Sequence, residues 1–536
     1  MIDVLIIGSG GAGLTAALSA KDVGASVLVV GKAYPTNSQT SMAQGGMNAA
    51  LANVEEDSID AHIADTIKSA RGLCDEERAK QMCTSAPDAI AWLESIGVPF
   101  SRLDNGKIGT DTVAQRQMGG ASAKRACYAQ DYTGLKILHT LYDTCLKHHI
   151  DFLDEHYLLS LILEEGVAKG ATFLDIRTGE VKQINAKSVI VATGGYGGIY
   201  HGFTTNMYGA SGDGIATVLR AGGAVSDMEF IQFHPTALKN SSILISESAR
   251  GEGGYLVNTK GERFVDELKP RDVVARAIFE QFAQGQEVFL DVRHLGEEKL
   301  MELLPQEVAL CKLHENVDPS KELIPIKPVA HYSMGGIDVN ALMQVEGIQG
   351  CFAVGECANA KVHGANRLGG NSLLEIVTFG KLAGQHAYTY ASTTSVNMPD
   401  ETQKKQDIDY IENLFSKKST LNFYTQREKL GELFYEKVGI VRDNTKLNQA
   451  LEAVIAMQEK LVHMGIEDKS PKNNTNLTDF LEFVNVLLLS STIISAAIAR
   501  DESRGAHYKE GFKKLDDEKF KNHIVFQWEQ TQGAKA

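Results

Sequence analysis

The sequence lacks the cysteine patterns that build metal centres. Its seven cysteines are scattered, and no two of them form a Cys-x-x-Cys pair, the spacing typical of structural zinc and of many iron–sulfur sites. We therefore predict neither a zinc site nor an iron–sulfur cluster, and no metal ligands, within the chain. An odd number of cysteines without an export signal indicates a reducing compartment.

Acidic residues outnumber basic ones, and no export signal is visible. The formal net charge is −15 at pH 7. This argues against nucleic acid and anionic membranes as direct partners, since both attract proteins rich in lysine and arginine. The chain enters an apolar pattern at residues 4–7 with no basic segment before it. We therefore expect no signal or transit peptide, and a cytoplasmic protein.

Long hydrophobic runs are rare as well. Residues 483–499 are strongly apolar, but they include Asn485 and several serine and threonine residues. The segment is shorter and more polar than a typical membrane span of about 20 residues. We predict that it forms a buried core helix.

The chain is instead long and rich in glycine. Its 536 residues exceed one ordinary domain, and its 50 glycines exceed the usual share. Residues 2–7 and 26–30 have the pattern of buried strands on either side of a helix at 13–23. This pattern predicts the start of a doubly wound α/β sheet.

Later segments extend this prediction. Residues 188–192 and 350–354 are also apolar and also run into glycine turns, so we expect them to join the same sheet. The long insertion between about 230 and 342 then becomes a second domain lying over the first. Apolar residues recur at helical spacing over 445–463, which together with 474–500 predicts a helical C-terminal domain.

The first turn carries a phosphate-binding pattern. Gly8-Ser9-Gly10-Gly11-Ala12-Gly13 matches G-x-G-x-x-G, directly after a strand and at the start of a helix. Small residues let backbone N–H groups and the helix N-terminus reach a pyrophosphate, so the pattern predicts dinucleotide binding. An acidic residue expected about 20 positions later to bind the ribose is missing. The second strand ends instead at Lys32, which argues against simple NAD binding.

The next segment identifies a family. Residues 34–50, Tyr-Pro-Thr-Asn-Ser-Gln-Thr-Ser-Met-Ala-Gln-Gly-Gly-Met-Asn-Ala-Ala, are similar to the flavoprotein subunits of succinate dehydrogenase and fumarate reductase, and to the related L-aspartate oxidases. In that family the segment wraps the FAD. The resemblance implies that FAD contacts Gly31, Lys32, Ser38, Gln39, Thr40, Ser41, Ala43, Gln44, Gly45, Gly46, Asp213, Glu356, Arg367, Ser372 and Leu373, besides the six residues of the first turn.

One residue departs from the family pattern. The respiratory subunits carry a histidine within Ser-His-Thr that bonds covalently to the flavin, and this chain has Ser38-Gln39-Thr40. Glutamine cannot form that bond, so we expect non-covalent FAD. A covalent link raises the flavin's reduction potential, so its absence should favour fumarate reduction over succinate oxidation.

Four further motifs match the family in order and spacing. They are Phe233-His234-Pro235-Thr236, then 246–254 (SESARGEGG), then Pro270-Arg271-Asp272, and finally 331–336 (HYSMGG) with 363–367 (HGANR). Taken singly, each has an ordinary structural explanation: a hydrogen-bonded core histidine, a surface ion pair or a glycine turn. Because all four recur together over nearly the whole chain, a functional interpretation is favoured.

The resemblance implies roles for these residues in interconverting fumarate and succinate. His234, Ser246, His331 and Arg367 would bind the two carboxylates. Arg271 would deliver a proton as flavin N5 delivers hydride, and Glu247 and Arg250 would relay protons to it. A guanidinium normally stays protonated, so Arg271 can donate only if its proton is replaced.

The resemblance also implies an architecture. We predict an FAD-binding domain at 1–229 and 343–395, an α+β capping domain at 230–342, a helical domain at 396–500 and a C-terminal tail at 501–536.

Two alternatives stay open. L-Aspartate oxidase, which makes iminoaspartate, has a glutamate near the substrate ammonium in an Arg-Glu-Gly-Gly segment. The matching segment here carries Met118, which cannot compensate that charge. Segments at 99–102, 105–108, 139–141, 502–507 and 516–523 are also more similar to the respiratory subunits, although the Glu-Ser-Arg-Gly at 502–505 is shared with the oxidases. A second alternative is a non-catalytic subunit that binds FAD for electron transfer or assembly.

The electron donor lies outside the chain. With no cluster motif, we expect a separate iron–sulfur subunit, with or without a membrane anchor or another electron-carrier subunit. Such partners would hold the chain on the inner face of the cell membrane. A soluble complex that draws electrons from thiols or another carrier is the other prediction.

Overall fold

The computed structural model describes residues 1–103, 108–395 and 397–528. Residues 105–107, part of a segment quoted for its resemblance, residue 396 of the predicted helical domain and residues 529–536 of the predicted tail lie outside the described residues. The strands are β1 Ile2–Ile7, β2 Val27–Val30, β3 Met47–Asn48, β4 Gln115–Arg116, β5 Ala126–Cys127, β6 Asp151–Leu153, β7 His156–Glu164, β8 Val167–Asp175, β9 Val181–Val191, β10 Ala224–Ser226, β11 Ile231–Leu238, β12 Tyr255–Asn258, β13 Val288–Asp291, β14 Ile324–Ser333, β15 Gly336–Asp338, β16 Cys351–Ala353, β17 Ala358–Asn359 and β18 Val525–Gln527. The helices are α1 Gly11–Asp22, α2 Ile59–Ser69, α3 Glu76–Thr84, α4 Ala86–Ser95, α5 Thr133–Lys147, α6 Asp213–Arg220, α7 Glu247–Gly251, α8 Arg271–Ala283, α9 Glu297–Leu303, α10 Pro305–His314, α11 Asn371–Thr393, α12 Thr402–Ser416, α13 Phe423–Lys437, α14 Asn444–Glu459, α15 Thr475–Ala499 and α16 Asp517–Phe520.

The largest sheet is assembled from segments that are far apart in the sequence. β1 pairs in parallel with β2 and with β9, β2 pairs with β6, and β16 pairs with β9. β7 and β8 extend the sheet by antiparallel pairing. The apolar segments at 2–7, 188–192 and 350–354 therefore do lie side by side, and the predicted α/β fold is confirmed.

Helices α1 and α11 pack together against this sheet. The alanine and leucine side chains of α1 are buried on all sides of the helix. α11 approaches so closely that a Cβ at Gly384 would lie 2.4 Å from the carbonyl oxygen of Ala16. Glycine at this position therefore lets α11 bring its N-terminal residues up to the turn after β1.

The insertion after β10 contains a second sheet with its own core. β11, β14, β13 and β12 pair antiparallel in that order. A hydrophobic cluster that includes Leu238, Leu256, Ile278, Leu290 and Ile326 lies between this sheet and α8 to α10, separate from the main core. A core of its own is what an inserted domain requires. The boundaries at 230 and 342 stay a prediction.

The C-terminal region is helical, as predicted. α15 is long and apolar enough to cross a bilayer, but 67% of its most apolar window is buried inside the protein. It packs against α14, α13 and α6, so its hydrophobic residues are covered by protein. The segment at 483–499 is therefore part of a core helix, Thr475–Ala499, which agrees with the helix predicted over 474–500.

The tail does not stay apart from the rest of the chain. β18 pairs antiparallel with β10, with Val225 opposite Phe526. The fully buried guanidinium of Arg500 contacts Glu229 at 2.5 Å and Glu502 at 3.1 Å. It also donates hydrogen bonds to the carbonyl oxygens of Phe520 and Asn522 and so holds the tail against the core. Sequence patterns did not predict this strand, because its partner lies about 300 residues away.

We predict that Arg500→Met lowers the free energy of unfolding by about 3–5 kcal/mol, because it leaves the buried carboxylate of Glu229 without its counter-charge, whereas Glu502 keeps Arg504. Thermal denaturation at neutral pH should show the loss as a lower Tm. Lys513→Met, at an exposed position of the same tail, is the matched control and should leave Tm unchanged. Equal Tm values for both variants would show that the buried ion pairs contribute nothing net.

Candidate active site

The turn after β1 has the geometry of a phosphate cradle. Gly8 has a φ of +113°, and a Cβ there would lie 2.2 Å from the carbonyl oxygen of Ala192. A Cβ at Gly13 would lie 2.0 Å from the carbonyl oxygen of Gly8, whereas one at Gly10 would meet nothing closer than 3.7 Å. Gly8 and Gly13 thus close the turn, whereas a side chain at Gly10 would make only ordinary van der Waals contacts at the N-terminus of α1.

A continuous cavity runs from this turn to the second sheet. It is lined by most of the residues predicted to contact FAD: Gly8, Ser9, Gly10, Gly11, Ala12, Gly31, Lys32, Ser38, Gln39, Thr40, Ala43, Gln44, Gly45, Gly46, Asp213, Glu356, Arg367, Ser372 and Leu373. Gly13 and Ser41 do not line it. Gly13 packs against Gly8, and the Ser41 hydroxyl donates to the carbonyl oxygen of Ser38.

One end of the cavity holds an ion-pair cluster of half-buried Lys32 with two buried carboxylates. Lys32 Nζ lies 2.7 Å from Asp213 Oδ2 and 2.8 Å from Glu482 Oε1. Although burial opposes its charge, Lys32 and the donors Asn485 and Ser211 hold the pKa of Asp213 below its usual range. Lys32 therefore occupies the place where an acidic residue was expected, and the carboxylate comes from Asp213 at the start of α6.

Gln39 is held at the side of the cavity. Its Oε1 accepts a hydrogen bond from the backbone N–H of Met207 at 2.9 Å. Its side chain, which lines the cavity, offers an amide in place of an imidazole nucleophile. Together, the glycine turn, the Asp213 carboxylate and the length of the cavity fit an elongated dinucleotide such as FAD.

The other end of the cavity is built around Arg271. Its Nε and Nη2 contact Glu247 Oε2 at 2.9 and 2.6 Å. Arg250, fully buried behind Glu247, lies 3.5 Å from the second carboxylate oxygen. Burial opposes the charge of Glu247, but Arg271 and Arg250 outweigh it and hold the pKa of Glu247 below its usual range. Arg271 and Glu247 line the cavity and Arg250 does not.

Arg367 enters the same space from the loop before α11. Its guanidinium stacks 4.2 Å from the ring centre of Tyr332 and donates to Gln232 Oε1 at 3.2 Å. Burial and the nearby charge of Arg271 lower the pKa of Arg367 to about 10, so it stays charged at neutral pH. Among the described residues, Glu247 is the one carboxylate that forms an ion pair with Arg250, Arg271 or Arg367.

Two neutral histidines also line the end of the cavity that holds Arg271 and Arg367. His234 on β11 and His331 on β14 face each other with ring centres 4.8 Å apart. Burial, assisted by the charge of Arg271, lowers the pKa of both rings well below the usual range. They therefore present hydrogen-bonding imidazoles and not extra positive charges to the cavity.

Ser246 stands at the N-terminus of α7. Its Oγ accepts from the backbone N–H of Ser248 at 3.2 Å and lies 2.9 Å from the Ser248 hydroxyl. The side chain lines the cavity, as does the apolar Met118, whose Cε would lie 2.7 Å from a Cβ at Gly45. All four residues predicted to bind carboxylates are thus brought together with Arg271 and Glu247.

Sequence reasoning missed Gln232. Its Oε1 accepts from Arg271 Nη1 at 3.0 Å as well as from Arg367, and its Nε2 donates to Asn366 Oδ1 and to the Arg367 carbonyl. The residue therefore fixes the distance between two guanidinium groups. The available signal was its position two residues before His234 on the same strand, since residues i and i+2 share a face.

Glu356 lies between the two ends of the cavity. Its Oε1 accepts from the backbone N–H and the hydroxyl of Ser333 at 2.9 and 3.0 Å. Burial raises the pKa of Glu356 to about 7. The carboxyl group is therefore an acceptor whose charge changes near neutral pH.

Comparisons with known proteins agree with this geometry. Residues 3–373 match the FAD binding domain model, and residues 427–536 match the fumarate reductase flavoprotein C-terminal model. The chain is 42% identical to the 8-methylmenaquinol:fumarate reductase flavoprotein subunit of Wolinella succinogenes, over 98% of this chain and 88% of the relative. It is 38% identical to the succinate dehydrogenase flavoprotein subunit of Rickettsia conorii, over 98% and 92%.

A solved structure of a variant of E. coli quinol fumarate reductase superposes with a TM-score of 0.92 at 35% identity, covering 98% of this chain and 94% of that one. The predicted fold, family and cofactor are confirmed, whereas the mode of FAD attachment stays a prediction. The chain belongs to the FAD-dependent family of fumarate reductase and succinate dehydrogenase flavoprotein subunits.

Proposed function

We propose that the chain is the flavoprotein subunit that interconverts fumarate and succinate, with fumarate reduction as the favoured direction. The observation that carries this proposal is the charge at one end of the cavity. Three buried arginines lie there beside two neutral histidines, and among the described residues the one carboxylate ion-paired with them is Glu247, which contacts Arg250 and Arg271. A buried excess of positive charge requires an anionic ligand, and a four-carbon dicarboxylate supplies it.

The residues divide the work between holding the substrate and moving a proton. When bound, FAD supplies or accepts the hydride. Arg367, His234, His331 and Ser246 bind the two carboxylates and polarise the double bond. Arg271 donates its proton to the substrate carbon on the face opposite the hydride, which completes the addition of one hydride and one proton to fumarate.

Glu247 acts after Arg271 and not before it. The low pKa of Glu247 means that it holds no proton at rest. Once Arg271 has given up its proton, the loss of that positive charge raises the proton affinity of the carboxylate 2.6 Å away. Glu247 then accepts a proton that Arg250 relays from solvent, and passes it to Arg271.

We assign residues 230–342 to a capping domain that opens and closes over the FAD-binding domain. His234, Ser246, Glu247, Arg271 and His331 come from this insertion, whose separate hydrophobic core supports independent movement. Arg367 and the FAD turn come from the other part of the chain. The substrate site is therefore complete only when the two parts meet, which is how closure would exclude water.

The electron donor is a separate protein in this proposal. Two relatives are named as quinol-linked fumarate reductases, and the present sequence has no Cys-x-x-Cys pair for a cluster of its own. An iron–sulfur subunit would bring electrons to the FAD, and a membrane-bound partner would hold the chain at the membrane surface.

The substrate proposal predicts a spectroscopic difference between two four-carbon acids. When fumarate is mixed with the reduced enzyme, it should reoxidise the flavin and restore the absorbance of oxidised flavin within the time of mixing. L-Aspartate should fail to reduce the oxidised flavin, because the buried apolar side chain of Met118 lines the cavity where an ammonium would need a carboxylate. Stopped-flow spectra of the purified holoenzyme measure both. Reduction by L-aspartate with no response to fumarate would favour L-aspartate oxidase.

The proton-donor proposal concerns Arg271. Arg271→Lys should lower kcat for fumarate by at least about a hundredfold, because lysine cannot hold Glu247 and Gln232 at once. FAD content, measured by the flavin spectrum, should stay normal. Arg293→Lys, which changes an exposed arginine of the same predicted domain, should leave kcat unchanged. Near-normal turnover of Arg271→Lys would remove Arg271 from this role.

The attachment of FAD is tested by denaturation. Acid-precipitated protein should release its flavin into the supernatant, because Gln39 offers no nucleophile for a covalent bond. Proteolysis of the pellet separates trapped flavin from bonded flavin, and only the second would remain on a peptide. A flavin peptide would contradict the proposal. So would succinate oxidation that is faster than fumarate reduction, since the bias in direction follows from the missing bond.

A further inference from the structure

Behind Ser246 lies a buried carboxyl group that the reaction described above does not use. Glu307 Oε1 accepts the backbone N–H of Ser246 at 2.8 Å, and only 4% of the residue is exposed. Its second oxygen, Oε2, is buried and has no hydrogen-bond partner among the described residues. Glu307 thus holds the peptide unit that begins α7, one residue before Glu247.

Glu307 is itself fixed by a contact between distant parts of the chain. It lies in the first turn of α10, whose residue Leu304 provides no side-chain cap. The cap comes from Asp131, just before α5, whose Oδ2 accepts the backbone N–H groups of Gln306 at 2.8 Å and Glu307 at 3.1 Å. Ser246, Glu307 and Asp131 therefore form a chain of contacts from the substrate site to the FAD-binding part of the protein.

Three ionisable side chains lie close enough to Glu307 to affect its charge. Asp131 faces it from the loop before α5, Arg116 from β4, and Cys311 lies one turn further along α10. Arg116 also has Glu252 at 3.9 Å and donates to the Gln130 carbonyl. Burial, with a smaller effect from Asp131, raises the pKa of Glu307 to about 8. The carboxyl is therefore neutral at pH 7 and becomes charged in mildly alkaline solution.

We propose that Glu307 is a positioning residue of the dicarboxylate site, which orients Ser246 through its backbone and makes substrate affinity depend on pH through its own charge. This role rests on the proposed function. When Glu307 is neutral, the positive field of the arginines acts on the substrate undiminished. When it ionises, a negative charge stands directly behind Ser246 and opposes the substrate carboxylate. Arg271 and Glu247 are untouched, so KM changes and kcat does not.

The test compares KM and kcat for fumarate across pH 6 to 10, with the FAD-loaded enzyme and a reduced dye as donor. In the wild type, KM should rise by about tenfold as Glu307 changes from neutral to ionised. This factor corresponds to a coupling in which substrate binding shifts the pKa of Glu307 by about one unit. Glu307→Gln keeps an oxygen for the Ser246 N–H and removes the charge, so its KM should lack this rise. Glu298→Gln, at an exposed position of the same predicted domain, should follow the wild type.

A second variant keeps the proposal testable if Glu307→Gln folds poorly. Asp131→Asn preserves an oxygen that can cap α10 but removes the charge that helps to raise the pKa of Glu307. The rise in KM should then move to lower pH, with kcat unchanged. Parallel KM profiles in the wild type and both variants would overturn the proposal.

A purely structural Glu307 would give a different result. Because its folded-state pKa is raised from the ordinary 4.5 to about 8, its contribution to stability is present at low pH and is lost as pH rises towards 8. Glu307→Gln should therefore remove part of the fall in Tm between pH 5 and 9. A change in Tm alone, with the KM profile intact, would contradict a role in substrate binding. Absence of fumarate turnover in the wild type at every pH would overturn both this role and the proposed function.

Discussion

The burial of three guanidinium groups is the constraint on which the site depends. A buried charge is stable only when it is paired or fully hydrogen-bonded. Glu247 serves Arg271 and Arg250 together, and Gln232 places one oxygen between Arg271 and Arg367. These two acceptors fix the three arginines, but they do not neutralise them. In the proposed function, the carboxylates of the substrate supply further negative charge to these arginines.

The architecture explains how such a cluster can be assembled. The FAD turn lies at the carboxyl end of β1, where ligands of doubly wound sheets bind, and α11 brings Arg367 close because glycines let it pack tightly on α1. The remaining groups come from β11, α7, α8 and β14 of the insertion. Each part of the chain thus carries an incomplete set of ligands. The interface between them, including the Asp131 cap of α10, is where the chemistry becomes possible.

The sequence predicted local features well and long-range ones poorly. The glycine turn, the strands at 2–7 and 188–192 and the family motifs are local patterns, and the structure contains them. Glu307 and the Lys32–Glu482 pair depend on segments brought together by folding, so no spacing could reveal them. Spacing could place Gln232 on the same face as His234, but not its contact with Arg367. Helical spacing does not decide burial either: within the apolar pattern at 445–463, Ile455 and Val462 are 44% and 66% exposed. A periodic pattern indicates a helix, but its neighbours decide which face is covered.

The charge count at the substrate end also bears on which ligand fits. Among the described residues, Glu247 is the carboxylate that is ion-paired within the group of three guanidiniums, both histidines are neutral, and Glu356 near Arg367 is partly ionised at neutral pH. The substrate end therefore carries an excess of positive charge, which the two negative charges of fumarate or succinate would offset in the proposed complex. L-Aspartate brings an additional positive charge, and Met118 offers nothing to offset it. Each further buried charge, such as an ionised Glu307, disturbs the same balance. In the proposed function, the electrostatic balance of the closed complex therefore links substrate choice and pH dependence to one set of buried groups.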